Sequence, residues 1–345
     1  MFYKLEISKK PLTLRKAKIS PNFESKSVLV KDPFEYVNLW LRRNKHTDAL
    51  FYWQQAKEFY EASLLLPLTA APLTNYYCFL NATKALLNAK GIDFNNWHGL
   101  KGRAKNKQVG LHNEEVTLCM GGVFPELCQY LEQPINTKTE YSLRQILYNL
   151  VYIHRSYCLT YPKDSNKELF IPVDNDYFKR DSNERKIYFV AELDKSFANG
   201  HTGNKISSIF SSEKLEENRT VQFLEALEYQ NSFSIKKLIK NENFIDFHKR
   251  IRLNMQYIAG SSKRWYIKRN DVENVIDLGS LPLAMAAMHR LSEMSRYDPL
   301  RLSKTLDSSC NWLLSEFIRN SPLQFIDEIA SEITGFEFLI PRSAK

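Results

Sequence analysis

The chain has 345 residues, 43% of them hydrophobic, 13% aromatic and 25% charged, which excludes a disordered or fibrous protein and allows one large domain or two of usual size. A formal net charge of +9 points toward acidic partners, nucleic acid among them. No run of about 18 apolar residues occurs, which excludes a membrane-spanning helix, and no internal repeat is evident.

Residues 1–32 read as an extended arm, with Pro11 and Pro21 interrupting any helix and β-formers in SVLV. Its scattered lysines lack the apolar run of a signal peptide, so a cytoplasmic protein is expected. From 33 to 160 the pattern is helical. In ALFYWQQAKEFYEASLLL, Leu50, Trp53, Tyr60 and Leu64 fall on one face and Asp48 serves as N-cap. Pro67 and Pro72 separate this helix from an antiparallel second one, which Gly91 ends. Along the second helix Leu73, Tyr76, Tyr77, Leu80, Lys84 and Leu87 recur at helical spacing. Lys84 therefore sits on an apolar stripe, where it either snorkels to an edge or serves a polar site.

His98 follows in a loop, GIDFNNWHGLKGR, directly before a basic cluster of Lys101, Arg103, Lys105 and Lys107. Residues 141–157 read as another helix with His154 and Arg155 near its end. From 161 to 275 short β-rich segments, ELFIPV, RKIYFVAEL and KRWYIKR, predict a mixed central region. Helix returns over 276–345, where Leu283, Ala287, Leu291, Met294 and Ser295 keep helical spacing, Pro299 breaks it, and Trp312, Leu313, Phe317, Phe325 and Ile329 form a last stretch. The expected fold is mainly α, a helical core with a small β-containing central insertion.

The charge excess concentrates between Lys236 and Arg269, with ten basic residues against two acidic ones. Its KRWYIKR segment interleaves Lys263, Arg264, Lys268 and Arg269 with Trp265, a pattern suited to stacking single-stranded bases beside phosphates. The same segment also suits an ordinary strand near a sheet edge, Trp265 and Ile267 on one face, Tyr266 and Lys268 on the other. Five cysteines (Cys78, Cys119, Cys128, Cys158, Cys310) without a C-x-x-C pair read as reduced thiols. His112, Cys119 and Cys128 match no standard metal spacing, so neither metal nor cofactor is expected.

Two blocks carry a family resemblance. FYWQQAKEFYEASLLLPLTAAPLTNYYCFLNATKALLNAKG with the following HGL, and SLPLAMAAMHRLSEMSRYDPLRLSKTL, resemble the N- and C-terminal signatures of YaaC-like proteins. The first block is also similar to HEPN domains, through Tyr76, Tyr77, Lys84, Ala85, Leu86, Leu87 and His98. That similarity implies a HEPN-like helical region over 33–160. Many HEPN proteins are metal-independent ribonucleases of toxin and phage-defence systems, and others only bind nucleic acids or partners. The R-x(4-6)-H spacing of active HEPN ribonucleases does not occur in this chain; Arg42 and His46 come nearest.

The first functional expectation is therefore a helical protein that binds RNA, DNA or a protein partner without chemistry of its own, as part of a prokaryotic stress or antiviral defence system. Binding would use Lys101, Arg103, Lys105, Lys107, Lys263, Arg264, Trp265, Lys268 and Arg269. The alternative is RNA cleavage by 2′-hydroxyl attack, which needs a histidine and a cation, the candidates being Lys84, His98, Arg103, His154 and Arg155. A third reading is a structural subunit forming a homo-oligomer.

Overall fold

A computed structural model of the protein describes residues 2–206, 208–215, 218–229 and 233–341. Five long helices build one layer: α1 (Pro33–Arg43), α2 (Thr47–Leu64), α3 (Ala71–Ala89), α4 (Ser280–Tyr297) and α5 (Asn311–Thr334). α1 starts where Asp32 caps the Phe34 N–H at 2.8 Å, with Pro33 in the first turn. α2 begins at Thr47, so Asp48 lies inside its first turn and is not the cap. Trp53 is buried on its inner face, whereas Leu64, expected beside it, is 64% exposed. α3 carries Pro72 in its first turn and stops just before Gly91.

α5 runs through Pro322, which removes the N–H that would have bonded the carbonyl of Ile318. Asn75 of α3 supplies the replacement, its Nδ2 donating to that carbonyl at 3.1 Å while 2% exposed. The one position where α5 cannot satisfy itself thus becomes its lock on α3. Phe79 and Phe325 stack beside it with ring centroids 4.0 Å apart.

The rest of the chain overturns the expectation of a mainly α fold with a small β insertion. The protein is 47% helix and 20% strand and contains an eight-stranded antiparallel sheet. In spatial order its main path runs 210–215, 218–223, 186–193, 170–181, 264–268 and 255–258. Phe2–Lys4 from the amino-terminal arm adds to strand 170–181, and Leu227–Glu228 to strand 186–193. The helix Glu242–Asn254 packs Phe244, Phe247 and Ile251 into a second hydrophobic core on this sheet, together with Leu5, Leu12 and Leu14 of the arm. The sheet is larger than its sequence signal because Phe170–Asp181 passes through the polar run DNDYFKRD and carries a register shift between Asp174 and Tyr177, which breaks the alternation.

A smaller three-stranded sheet, β1 (Leu100–Ala104), β2 (Glu114–Leu118) and β3 (Thr139–Ser142), lies against α4. The helix expected over 141–157 is split into Leu143–Tyr148 and His154–Thr160. It stops at Asn149, a fully buried side chain whose amide donates to the carbonyls of Gln145 and Asn274 and accepts the Ile276 N–H.

Replacing Asn75 by alanine leaves the Ile318 carbonyl buried without a donor. We expect a loss of about 1–3 kcal/mol, seen as a lower urea midpoint at unchanged slope. An unchanged midpoint would show that the carbonyl finds another donor.

Candidate functional site

Glu114, on β2, is fully buried between two arginines. Arg290 of α4 donates to its Oε2 at 2.6 and 3.0 Å, and Arg301 donates to its Oε1 at 2.5 Å. These charge-assisted contacts tie the small sheet to α4 through Arg290 and to the next helix, Pro299–Leu306, through Arg301. β1 then approaches α4 so closely that a Cβ on Gly102 would lie 1.9 Å from Glu293 Oε2. Only glycine allows the Glu293 side chain to lie there.

Between α3, α4 and the small sheet opens a cleft of about 550 Å³. His289, Glu293 and Arg296, spaced i, i+4 and i+7 on α4, form one wall, and Leu73, Tyr76 and Tyr77 of α3 the other. The loop from Asn96 to Gly99 and the first residues of β1, Leu100 and Lys101, line the cleft as well. The loop turns at Gly99, whose φ of +79° is a left-handed conformation, and a Cβ there would lie 2.4 Å from Pro125.

Tyr76 Oη and His98 Nδ1 are hydrogen-bonded at 2.6 Å. Their rings stack at 5.4 Å, and His289 meets Tyr76 edge-on at 5.0 Å and His98 at 5.9 Å. Burial, reinforced by Lys84 and Arg296, lowers the pKa of His98 below the usual histidine value. Burial, then His98 and Arg290, pushes His289 down to about 3. Burial pushes the Tyr76 phenol up, so it stays protonated at neutral pH. His289 Nδ1 is buried without a hydrogen-bond partner, 3.8 Å from Glu293 Oε2. At the rim Trp97 is 76% and Tyr297 70% exposed.

The residues expected from sequence fall into three groups. His98 and Lys101 line the cleft, with Lys84 at its edge, where its Nζ donates to Asn96 at 3.1 Å and lies over the Tyr52 ring. Lys84 thus snorkels, and burial lowers its pKa. Arg103, Lys105 and Lys107 are exposed along and beyond β1, with Arg103 paired to Glu115 and Glu140 and Lys105 to Glu115.

His154 and Arg155 stand apart from the cleft. His154 is buried, its Nδ1 against the Tyr148 carbonyl at 3.1 Å and its Nε2 accepting the Leu169 N–H at 3.2 Å, and burial pushes its pKa down to about 4. Both ring nitrogens serve the fold. Arg155 pairs with Glu168 at 3.6 Å.

KRWYIKR forms the strand Arg264–Lys268, one place in from the sheet end. Against the expectation of a stacking groove, Trp265 is 2%, Lys268 7% and Arg269 5% exposed. Lys268 donates to the carbonyls of Ile276 and Leu278, and Arg269 pairs with Asp271 at 2.6 Å. Lys263 donates to the Leu14 carbonyl and to Glu337, and Arg264 pairs with Asp194. A strand flanked by charges on both sides folds inward here because each cation finds a carbonyl or carboxylate.

His289, Glu293 and Arg296 were missed as a site. Their signal was present as one polar stripe at helical spacing opposite the apolar face of α4, and the adjacency of His289 and Arg290 hid it.

A family model described as YaaC-like protein matches residues 13–333, nearly the whole chain, and the protein belongs to the YaaC-like family. No curated protein and no solved structure matches it significantly. Among the described residues no helix is long and apolar enough to cross a membrane, and no group of three or more His, Cys, Asp or Glu side chains is placed to hold a metal ion.

Histidine NMR titration tests the electrostatics of the cleft. His289 is expected to stay neutral down to about pH 4, given its value near 3, while His98 titrates below 6.5. Arg296→Ala removes a positive neighbour and should raise the His98 pKa; an unchanged value would mean that the guanidinium exerts no field on that ring.

Proposed function

We propose that the cleft binds single-stranded RNA. The observation that carries this reading is the placement of the strongly exposed Trp97 and Tyr297 beside Lys101 and Arg296; neither cation makes an ion pair among the described residues, and Arg296 lies over one face of the Tyr297 ring at 4.8 Å. Aromatic faces accept stacked bases while unpaired cations accept the phosphates between them, a combination that holds single strands with little regard to sequence. The exposed Lys107, which makes no ion pair among the described residues, extends the positive surface away from the cleft.

Fluorescence anisotropy with a labelled single-stranded RNA should give an affinity that falls steeply between about 50 and 200 mM salt. Trp97→Ala should weaken binding about tenfold through lost stacking. The double substitution Lys101→Ala with Arg296→Ala should both weaken binding and flatten the salt dependence. Binding that ignores all of these changes would rule out the cleft.

The second reading is cleavage of the bound strand, supported by the Tyr76, His98 and His289 cluster. With His98 Nδ1 engaged by the phenol, its Nε2 is the nitrogen left for a ligand. In the tautomer whose Nδ1–H donates to the phenol oxygen, Nε2 is suited to accept the proton of a 2′-hydroxyl as its oxygen bonds to phosphorus and the P–O5′ bond breaks, water protonating the departing 5′-oxygen, while Arg296 or Lys101 offsets the charge gathering on the phosphoryl oxygens. The similarity to HEPN domains adds to this reading, and the missing R-x(4-6)-H spacing speaks for binding alone. Cleavage of labelled RNA that survives EDTA and is lost in His98→Ala would establish chemistry, and intact RNA in complex with the protein would leave binding as the function.

A further inference from the structure

One group in the cleft is out of place for a phosphate site. Glu293 sits on the same wall as Arg296 and brings a carboxylate into a cleft whose other charged side chains are Lys101 and Arg296. Arg290 does not neutralise it fully: the Arg290 Nη1 to Glu293 Oε2 distance is 3.4 Å, and Arg290 spends its shorter contacts on Glu114. Glu293 Oε1 makes no hydrogen bond among the described residues, and the side chain is 24% exposed. Beside it the buried His289 Nδ1 has no partner. Buried polar atoms are normally paired, so an unpaired nitrogen next to a half-used carboxylate points to a partner from outside the chain.

A carboxylate repels phosphate, so a bound strand must place a base, not its backbone, over Glu293. An ionised carboxylate is an acceptor only, with two oxygens in one plane. Adenine and cytosine each offer one amino donor beside a ring nitrogen whose lone pair faces the carboxylate, and uracil offers one N–H flanked by two carbonyls. Guanine alone presents two adjacent donors, N1–H and the 2-amino group, that meet both oxygens without an opposed lone pair. Bases held out of a stack are commonly read on this edge.

We propose that the cleft selects guanine, with Glu293 as the residue that determines specificity. This rests on the reading of the cleft as an RNA site, although the same chemistry would serve a free guanine nucleotide. Trp97 would stack the base, and Arg296, one turn beyond Glu293 on α4 and over the Tyr297 ring at 4.8 Å, would turn to the attached phosphate.

The test compares an oligouridine carrying one central guanosine with the same strand carrying adenosine, cytidine or uridine there. A further strand carries inosine, which keeps N1–H and lacks the 2-amino group. Free GMP, AMP, CMP and UMP form a parallel set. The guanosine strand should bind about tenfold tighter than the other three, inosine should lose a large part of that margin, and Glu293→Gln should collapse the ratio. The inosine strand asks the same question without altering the protein. Equal affinity for all four bases, or a guanine preference that survives Glu293→Gln, overturns the proposal and leaves RNA binding standing. A preference shown by GMP with no binding of any strand supports guanine recognition and removes the RNA reading. No binding in either set overturns both.

Discussion

Lys16 and Asp327 form a salt bridge at 2.9 Å with side chains only 1% and 0% exposed, and the two parts of the molecule meet at it. Asp327 belongs to α5, Lys16 to the amino-terminal arm, and Tyr257 of strand 255–258 donates its hydroxyl to the same carboxylate at 2.8 Å. Around this point the backbone N–H groups of Lys18 and Ile19 donate to Glu332, and Arg15 and Lys263 pair with Glu337. Removing one member of a buried pair costs about 3–5 kcal/mol, because its partner is left charged in a poor solvent. The arm is therefore a strap drawn between helical layer and sheet.

The cleft inherits its shape from that seam. Asp327 fixes α5, α5 offers the carbonyl of Ile318, and Asn75 takes it on α3, one residue before Tyr76. On the other wall Glu114 holds α4 through Arg290, which neighbours His289 in sequence. Two buried carboxylates that do not line the cleft thus set where the phenol and the two imidazoles stand. Their surroundings then decide the protonation: burial and a positive field keep both histidines neutral, while Trp97, Tyr297, Lys101 and Arg296 stay in reach of solvent or ligand.

Much of the helical layer was legible. Pro72 and Gly91 bracket α3, Pro299 ends α4, and KRWYIKR is a strand, because prolines, glycines and short β-rich runs act locally. The extent of the sheet was not legible, since it is assembled from segments as far apart as Phe2–Lys4 and Arg264–Lys268, and pairing over such distances leaves little trace in periodicity. The same limit applies to charge. Lys263 to Arg269 looked like a binding surface because its neutralising partners, Leu14, Glu337, Asp194 and Ile276 among them, are mostly remote in sequence. His98 could be singled out from its loop, but its partners Tyr76 and His289 come from two helices, and only the fold brings them together.

The proposed RNA site is one cleft that gathers Trp97, Tyr297, Lys101 and Arg296. Ultraviolet crosslinking of the protein to a single-stranded RNA, with mass-spectrometric mapping of the modified peptides, examines that claim most directly. Adducts concentrated on Trp97 and Tyr297 are expected. Adducts confined to the sheet, or to the segment Lys263–Arg269, would contradict it.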